Sequence, residues 1–265
     1  LSRFSDRLLT WYGDNERDLP WRRNPTPYRV WISEVMLQQT TVGAVRGRFE
    51  RWMRHFPDVE SVARASQQEI LAEWEGLGYY GRARRVHAAA QKMMEEHDGR
   101  VPRERKSLLS LPGVGPYIAA AILSLAFGED EVAIDANVRR VFMRLLALRG
   151  RPGGRDVQRR VEEAANRAMP EKCSSRFNQG LMDFGSLICR SRSPDCGGCF
   201  ATDLCRAFQD GLQEEIPERR PRQVEEIDTA VAIFRRGSRT FIQRRPSRGL
   251  FGGMWEFPGG KVEER

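Results

Sequence analysis

The sequence predicts a mainly α-helical protein that runs into the start of a β-containing domain. From about residue 2 to 210, apolar residues recur at spacings of three and four, with breaks at Gly and Pro clusters. From Thr229 the texture changes to the alternation of "TAVAIFRRGSRTFIQRR", the pattern of two strands around a Gly-Ser turn. Between these regions "GLQEEIPERRPRQVEEID" is charged and Pro-containing, which suits a linker over residues 211–227.

The elements follow in order. "LSRFSDRLLTWYG" is an amphipathic start without the apolar core of a signal peptide. Helices are predicted over 30–41, 44–55, 67–75 and 82–97. "RERKSLLSLPGVGP" reads as a short helix entering a turn, and Pro116 suits the first position of the Ala-rich helix over 117–127. "NVRRVFMRLLAL" is the clearest helix, with Val138, Val141, Phe142, Leu145 and Leu146 on one stripe. Two more run over 155–168 and 176–188.

A chain of 265 residues allows one to three domains. The formal charge of +8 suits a polyanion such as nucleic acid, and it equally suits a plain solubility role. Only Lys92, Lys106, Lys172 and Lys261 are lysines, so nearly all the positive charge is Arg. No apolar run approaches the roughly 18 residues of a membrane span. The chain begins without Met and stops at "GGKVEER" in mid-pattern, so both ends read as trimmed.

Three constellations carry chemistry. Cys189, Cys196, Cys199 and Cys205 give C-x6-C-x2-C-x5-C in a loop broken by Pro194, Gly197 and Gly198. A secretory signal is absent and Cys173 leaves an odd count, which argues against disulfides. The spacing suits a structural zinc ion and an iron–sulfur cluster about equally. The second is "LPGVGPYIAA", residues 111–120, where Gly-exposed amides at a helix start make an anion seat or only a turn.

The third is a pair of carboxyls. Asp135 stands at the N-cap three residues before Val138, a reason sufficient for an Asp without catalysis. Glu34 has Val30, Trp31 and Leu37 on its own helical face. Burial there raises its pKa toward that of a general acid, unless it sits at the rim of the face and reaches solvent.

Taken together, "LPWRRNPTPYRVWISEVMLQQT", "WEGLGYYGRARR", "LPGVGPYIAAAILSLAFG", "IDANVRR", "FNQGLMDFGSLIC" and the four-Cys loop resemble the helix–hairpin–helix DNA glycosylase superfamily. Within it they are most similar to the MutY-type adenine DNA glycosylases. The resemblance covers essentially the whole chain, because "QRRPSRGLFGGMWEFPGG" is similar to the family's Nudix-like C-terminal domain.

It implies a helix–hairpin–helix glycosylase fold of two helical subdomains with an iron–sulfur cluster loop, followed by the truncated start of an α/β Nudix-like domain. A six-helix barrel subdomain would span 23–133, the cluster subdomain 1–22 and 134–210, and the Nudix-like start 228–265. The four cysteines would hold one four-iron, four-sulfur cluster, with zinc the minor alternative.

The same resemblance assigns roles. Glu34 would protonate the adenine ring and later help activate water, while an ionised Asp135 would stabilise positive charge at C1′. Tyr117 would lie beside them and Asn137 would orient them. Endonuclease III-type relatives carry a Lys where this chain has Tyr117, so water, not an amine, would attack the sugar and the strand would stay intact. Gly113, Val114 and Gly115 would hold a backbone phosphate. Gln39 and Thr40 would lie near the orphan base, Leu77 and Tyr79 would form a wedge, and Arg22 would line the pocket. Arg190 and Arg192 would add phosphate contacts. The partner would be double-stranded DNA with a mismatch or oxidised guanine, bound by an intracellular monomer (cytoplasmic and nucleoid-associated if bacterial) without a membrane partner.

Two features depart from the family pattern. Ala136 replaces the usual Gly, and "DAN", "GRVPRERK" and "GLMDF" resemble thymine-mismatch glycosylases, making thymine or uracil opposite guanine the alternative substrate. "FPGGKVEER" is closer to an active Nudix start than is usual for the family, so the C-terminal segment reads first as an 8-oxoguanine reader and second as a hydrolase. A non-catalytic helix–hairpin–helix DNA-binding module is the alternative outside enzymes.

Overall fold

A computed structural model describes residues 1–218, 226–246 and 252–262. Twelve helices lie among the described residues: α1 (Ser2–Asn15), α2 (Pro27–Leu37), α3 (Val42–His55), α4 (Val59–Arg64), α5 (Gln67–Glu73), α6 (Gly81–Glu96), α7 (Arg105–Leu109), α8 (Pro116–Ala126), α9 (Ala136–Leu145), α10 (Arg155–Ala168), α11 (Ser174–Leu187) and α12 (Arg206–Gln209). The chain divides into two units, Leu1–Gly78 with Arg82–Arg219 and Tyr79–Gly81 with Arg220–Arg265.

Side-chain caps open α2, α3, α4, α5 and α9. The Thr26 hydroxyl accepts from the Arg29 amide and opens α2 three residues before the apolar stripe, and Thr41 does the same for α3. The short α4, which the apolar spacing does not predict, is held by a capping box between Asp58 and Ser61. α2 ends at Leu37 rather than Thr41 because Gln39 turns to a φ of +55°.

The first unit has two apolar centres. In one, Trp31, Trp52 and Trp74 are fully buried, with the Trp52 and Trp74 rings edge to face at 5.6 Å. The Trp52 indole donates to the Tyr28 hydroxyl at 3.0 Å, and that hydroxyl donates to the Phe56 carbonyl at 2.6 Å. α2 packs on α3 and on α8, whose residues Ile118–Ser124 are all buried. The other centre gathers α1, α9, α10 and α11 around Phe4, Phe142, Phe177 and Phe184.

α11 packs against α1, α8 and α9 and so ties the two centres together. Residues 211–218, which the charge pattern places in the linker, begin within this second centre: Ile216 is buried in it and its carbonyl accepts from Arg144 Nε at 2.8 Å. An apolar residue and a buried acceptor outweigh the charged residues around them. Of the rest of the linker, residues 219–225 lie outside the described residues.

In the second unit the described residues form three antiparallel pairs. β1 (Thr229–Val231) pairs with β6 (Gly259–Lys261), β2 (Arg235–Arg236) with β3 (Arg239–Thr240), and β4 (Gln243–Arg244) with β5 (Trp255–Glu256). The β2–β3 pair closes around the Gly-Ser turn, with Arg236 opposite Arg239. Residues 247–251 and 263–265 of the segment expected to start a Nudix-like domain lie outside the described residues. No helix among the described residues is long and apolar enough to cross a membrane.

One buried polar joint fixes α11 to α8 and to the irregular segment before α9. Asn178 is wholly buried, accepts the Ala133 amide at 3.0 Å, and donates to Ser124 Oγ at 2.9 Å and the Glu131 carbonyl at 2.8 Å. Asn178→Leu would leave a buried donor and a buried acceptor unpaired, and should destabilise the protein by about 2–4 kcal/mol. Urea unfolding checks this: the midpoint should fall with little change in slope.

Candidate active site

The packing of α2 on α8 brings two of the predicted residues into contact. Glu34 is buried in the last turn of α2, and its Oε2 accepts the hydroxyl hydrogen of Tyr117 from the first turn of α8. Burial pushes the Glu34 carboxyl up from 4.5 to about 7. The Tyr117 hydrogen bond and Arg22 pull it down, and the nearby Asp135 pushes it further up. Burial likewise holds the Tyr117 phenol well above its ordinary value, so it remains a donor.

Asp135 caps α9. Its Oδ1 accepts the Val138 amide at 2.7 Å and its Oδ2 accepts from Asn137 Nδ2 at 2.7 Å. Burial raises its pKa too, against these hydrogen bonds and the charge of Arg140. Burial thus acts on both carboxyls, and hydrogen bonding to the charged form distinguishes them.

Asn137 is itself held. Arg140 Nη2 donates to Asn137 Oδ1 at 2.9 Å and to the Gly185 carbonyl at 2.6 Å, while Arg140 Nε donates to the Cys189 carbonyl at 2.8 Å. A Cβ on Gly185 would stand 2.7 Å from Asn137 Cβ, so only Gly lets α11 approach α9 this closely. Arg140 and Gly185 escape a reading of sequence because the contacts that join α9 to α11 and the cysteine loop link residues 45 or more apart.

Arg22 does not stand alone as a pocket residue. It donates to both oxygens of Asp183 at 2.8 and 2.9 Å, and Arg17 Nε donates to Asp183 Oδ1 at 2.9 Å. Burial raises the Asp183 pKa, but the two guanidinium groups prevail and hold it below the usual carboxylate range. The signal was available, since Asp183 stands beside Leu181 and Phe184 as Glu34 stands beside Val30 and Trp31.

The hairpin runs from α7 through Gly113, at a φ of +83°, to Gly115 at the N-cap of α8 with Pro116 following. A side chain at Gly113 would also meet Arg85, with a Cβ 2.9 Å from Arg85 Cβ. The Val114 amide, expected to face a phosphate, is engaged inside the turn, donating to the Leu111 carbonyl at 3.1 Å. Of the remaining predicted DNA-facing residues, Gln39 and Tyr79 are exposed, Thr40 is half-buried and Leu77 is buried.

All four loop cysteines line one cavity with Val141, Arg144 and Phe184. Arg144 Nη1 donates to Cys189 Sγ at 3.3 Å and the Ala201 amide to Cys199 Sγ at 3.4 Å. Burial pushes the Cys199 thiol up to about 11 and also raises Cys196 and Cys205. No group of three or more His, Cys, Asp or Glu among the described residues closes on a single-ion site. A zinc ion with bonds of about 2.3 Å would need the sulfurs to converge tightly. The four thiols share one cavity, and that donor set suits an iron–sulfur cluster as well as a single metal ion. Cys173 lies apart, at the N-cap of α11.

The HhH-GPD superfamily base excision DNA repair protein model matches residues 32–167. Over 96% of its length the chain is 33% identical to a human adenine DNA glycosylase and spans 57% of that protein. It is 31% identical over 96% of its length to the adenine DNA glycosylase of Buchnera aphidicola subsp. Schizaphis graminum and spans 74% of it. Among solved structures, a thermostable thymine-DNA glycosylase superposes with a TM-score of 0.71 at 32% identity, over 78% of this chain and 96% of that one. A non-covalent endonuclease III–DNA complex gives 0.69 at 25% identity, over 80% and 96%.

The buried Glu34 links stability to pH. With its pKa near 7 when folded and 4.5 when unfolded, the carboxyl binds its proton more tightly in the folded state. Stability is therefore fully present below about pH 4.5 and falls until about pH 7. Glu34→Gln should melt like the parent near about pH 5 and higher than it near about pH 8, by up to about 3 kcal/mol of stability. Melting curves at the two pH values check this.

Proposed function

The chain belongs to the HhH-GPD superfamily of base excision DNA repair proteins, and from that premise we propose that it is a monofunctional DNA glycosylase. In this reading it removes adenine mispaired with 8-oxoguanine or guanine. The observation that carries it is the buried Glu34 carboxyl, hydrogen-bonded to Tyr117 and titrating near 7, beside an Asp135 supplied with donors.

The target nucleotide leaves the stack, since the glycosidic bond is out of reach inside the duplex. Glu34 in its acid form gives a proton to the adenine ring. The C1′–N bond then breaks and its electron pair departs with the base. Asp135 stabilises the positive charge on the sugar. A water molecule bonds to C1′ and returns a proton to Glu34. Tyr117 fills the position of a Lys nucleophile, and no Lys occurs from residue 107 to 171, so the product is an abasic site in an intact strand. Asn137, held by Arg140, orients Asp135.

Around this centre the amides of Gly113, Val114 and Gly115 take a backbone phosphate. Gln39 and Thr40 face the orphan base, Leu77 and Tyr79 enter the stack, and Arg22 lines the base pocket from its seat on Asp183. Cys189, Cys196, Cys199 and Cys205 hold a four-iron, four-sulfur cluster that anchors their loop, and no step of base removal passes through it. The strands of the second unit begin a Nudix-like domain that reads 8-oxoguanine. The protein acts as an intracellular monomer on double-stranded DNA, cytoplasmic and nucleoid-associated if bacterial.

A second reading, thymine or uracil excision opposite guanine, is favoured by the likeness to a thymine-DNA glycosylase and by Ala136. A labelled duplex panel separates the two: adenine opposite 8-oxoguanine, adenine opposite guanine, and thymine or uracil opposite guanine. Strand breaks only after alkali, and only at adenine, are expected; breaks at thymine or uracil establish the second reading. Binding without product in every lane establishes a non-catalytic module.

Asp135→Asn and Glu34→Gln should each lower excision by at least about 100-fold while leaving duplex binding intact. Excision should also decline as pH rises through about 7, where Glu34 loses its proton. Metal analysis of the purified protein is expected to find iron with acid-labile sulfide; stoichiometric zinc would replace the cluster assignment.

A further inference from the structure

Arg82 is a buried cation that the mechanism leaves unused, and two turns converge on it. Its Nη1 donates to the carbonyls of Val35 at 2.8 Å, Met36 at 2.9 Å and Gln38 at 2.6 Å. Its Nη2 donates to the carbonyls of Leu77 at 2.9 Å and Gly78 at 3.1 Å, and to Thr40 Oγ1 at 3.2 Å. The guanidinium carbon stands 5.3 Å from the centre of the Trp74 ring, whose own Nε1 donates to the Gly78 carbonyl at 3.2 Å.

These contacts serve two structures. Val35 and Met36 carry open carbonyls at the C-terminal end of α2, where a cation is favourable. Gln38–Thr40 and Leu77–Gly78 are irregular turns with little regular pairing of their own, and each presents its backbone oxygens to the same guanidinium. Between two tethered neighbours, Gln38 and Thr40, stands Gln39 with an exposed side chain and a φ of +55°. A non-glycine residue in that conformation is strained and persists where its surroundings impose it.

We infer that Arg82 is a positioning residue for displacement of the target base: it locks the Gln38–Thr40 turn to the Leu77–Gly78 turn so that both meet the duplex as one rigid edge. The inference rests on the glycosylase reading, in which Gln39, Thr40 and Leu77 face the opened stack. It places Arg82 before the chemistry. Glu34, Tyr117 and Asp135 touch the reacting nucleotide, whereas Arg82 acts through the backbone of the turns.

Arg82→Lys is the informative variant, because one ammonium with three donors replaces two nitrogens that serve six acceptors. Single-turnover excision by the full chain is measured on adenine opposite guanine, and on the same adenine opposite an abasic site, where little displacement work remains. Melting curves accompany both, with Arg82→Gln as a second variant should the first fold poorly. The expected result is a loss on the order of tenfold or more on the paired duplex, recovering to within about threefold of the parent opposite the abasic site. Equal loss on both duplexes means that Arg82 only supports α2 and Glu34, and overturns the inference.

A 2-aminopurine at the target position gives a readout independent of chemistry. The parent should brighten it on binding and Arg82→Lys should not; equal brightening overturns the inference. A parent that excises no adenine from either duplex refutes the adenine reading, and the fluorescence result then decides on Arg82 alone.

Discussion

The structure depends on a carboxyl group placed where water does not reach. Glu34 is only 4% exposed, and its one hydrogen bond described here comes from Tyr117 on another helix. Burying a carboxyl costs free energy whichever form it takes, and the charged form costs more. The group stays because α2 has no freedom to turn it outward. Val30, Trp31, Ile32, Val35 and Met36 are buried around it, Arg82 binds the carbonyls at one end, and Thr26 caps the other. A fold that over-determines one helix in this way can maintain a costly group on it.

The second carboxyl is held by a different part of the chain, and α11 makes the two parts one body. Asp135 belongs to α9, which packs on α11, and α11 packs in turn on α8, the helix of Tyr117. Arg140 and Arg144, one turn apart on α9, reach the backbone of Cys189 and Arg190 respectively. The cysteine loop, α9 and the Asp135 cap are therefore braced by one set of guanidinium contacts, which places the four-Cys loop and the Asp135 carboxyl within the same core. The brace is mechanical, and no proton or electron need travel along it.

Much of this was legible in the sequence, wherever a residue broke a local rule. Glu34 on an apolar face, Asp135 at a helix start and Pro116 after a Gly pair each stand out within one or two helical turns. The helix boundaries that shifted did so at caps and at Gln39, where a single backbone angle ends α2 four residues before the apolar pattern does. What could not be read were the long-range partners. Arg17 meets Asp183 across 166 positions and Arg82 meets Val35 across 47, and nothing in the local pattern of either Arg names its acceptor. In the second unit the alternating pattern located the β2–β3 turn but not the β1–β6 pairing, because that register joins residues about thirty apart.

The two carboxyls differ most in where they stand on their helices. Asp135 is the N-cap of α9, where unpaired amides and the positive end of the helix dipole favour an anion. Glu34 lies three residues from the end of α2, where the carbonyls point toward the C-terminus and the dipole favours the neutral acid. Arg82 offsets part of that negative end without touching the Glu34 carboxyl in any hydrogen bond described. Burial raises both groups, and the opposed helix ends then act with opposite sign, toward charge retention at Asp135 and proton retention at Glu34. Two buried carboxyls close enough to influence each other are thus biased in opposite directions, each by the end of the helix that carries it.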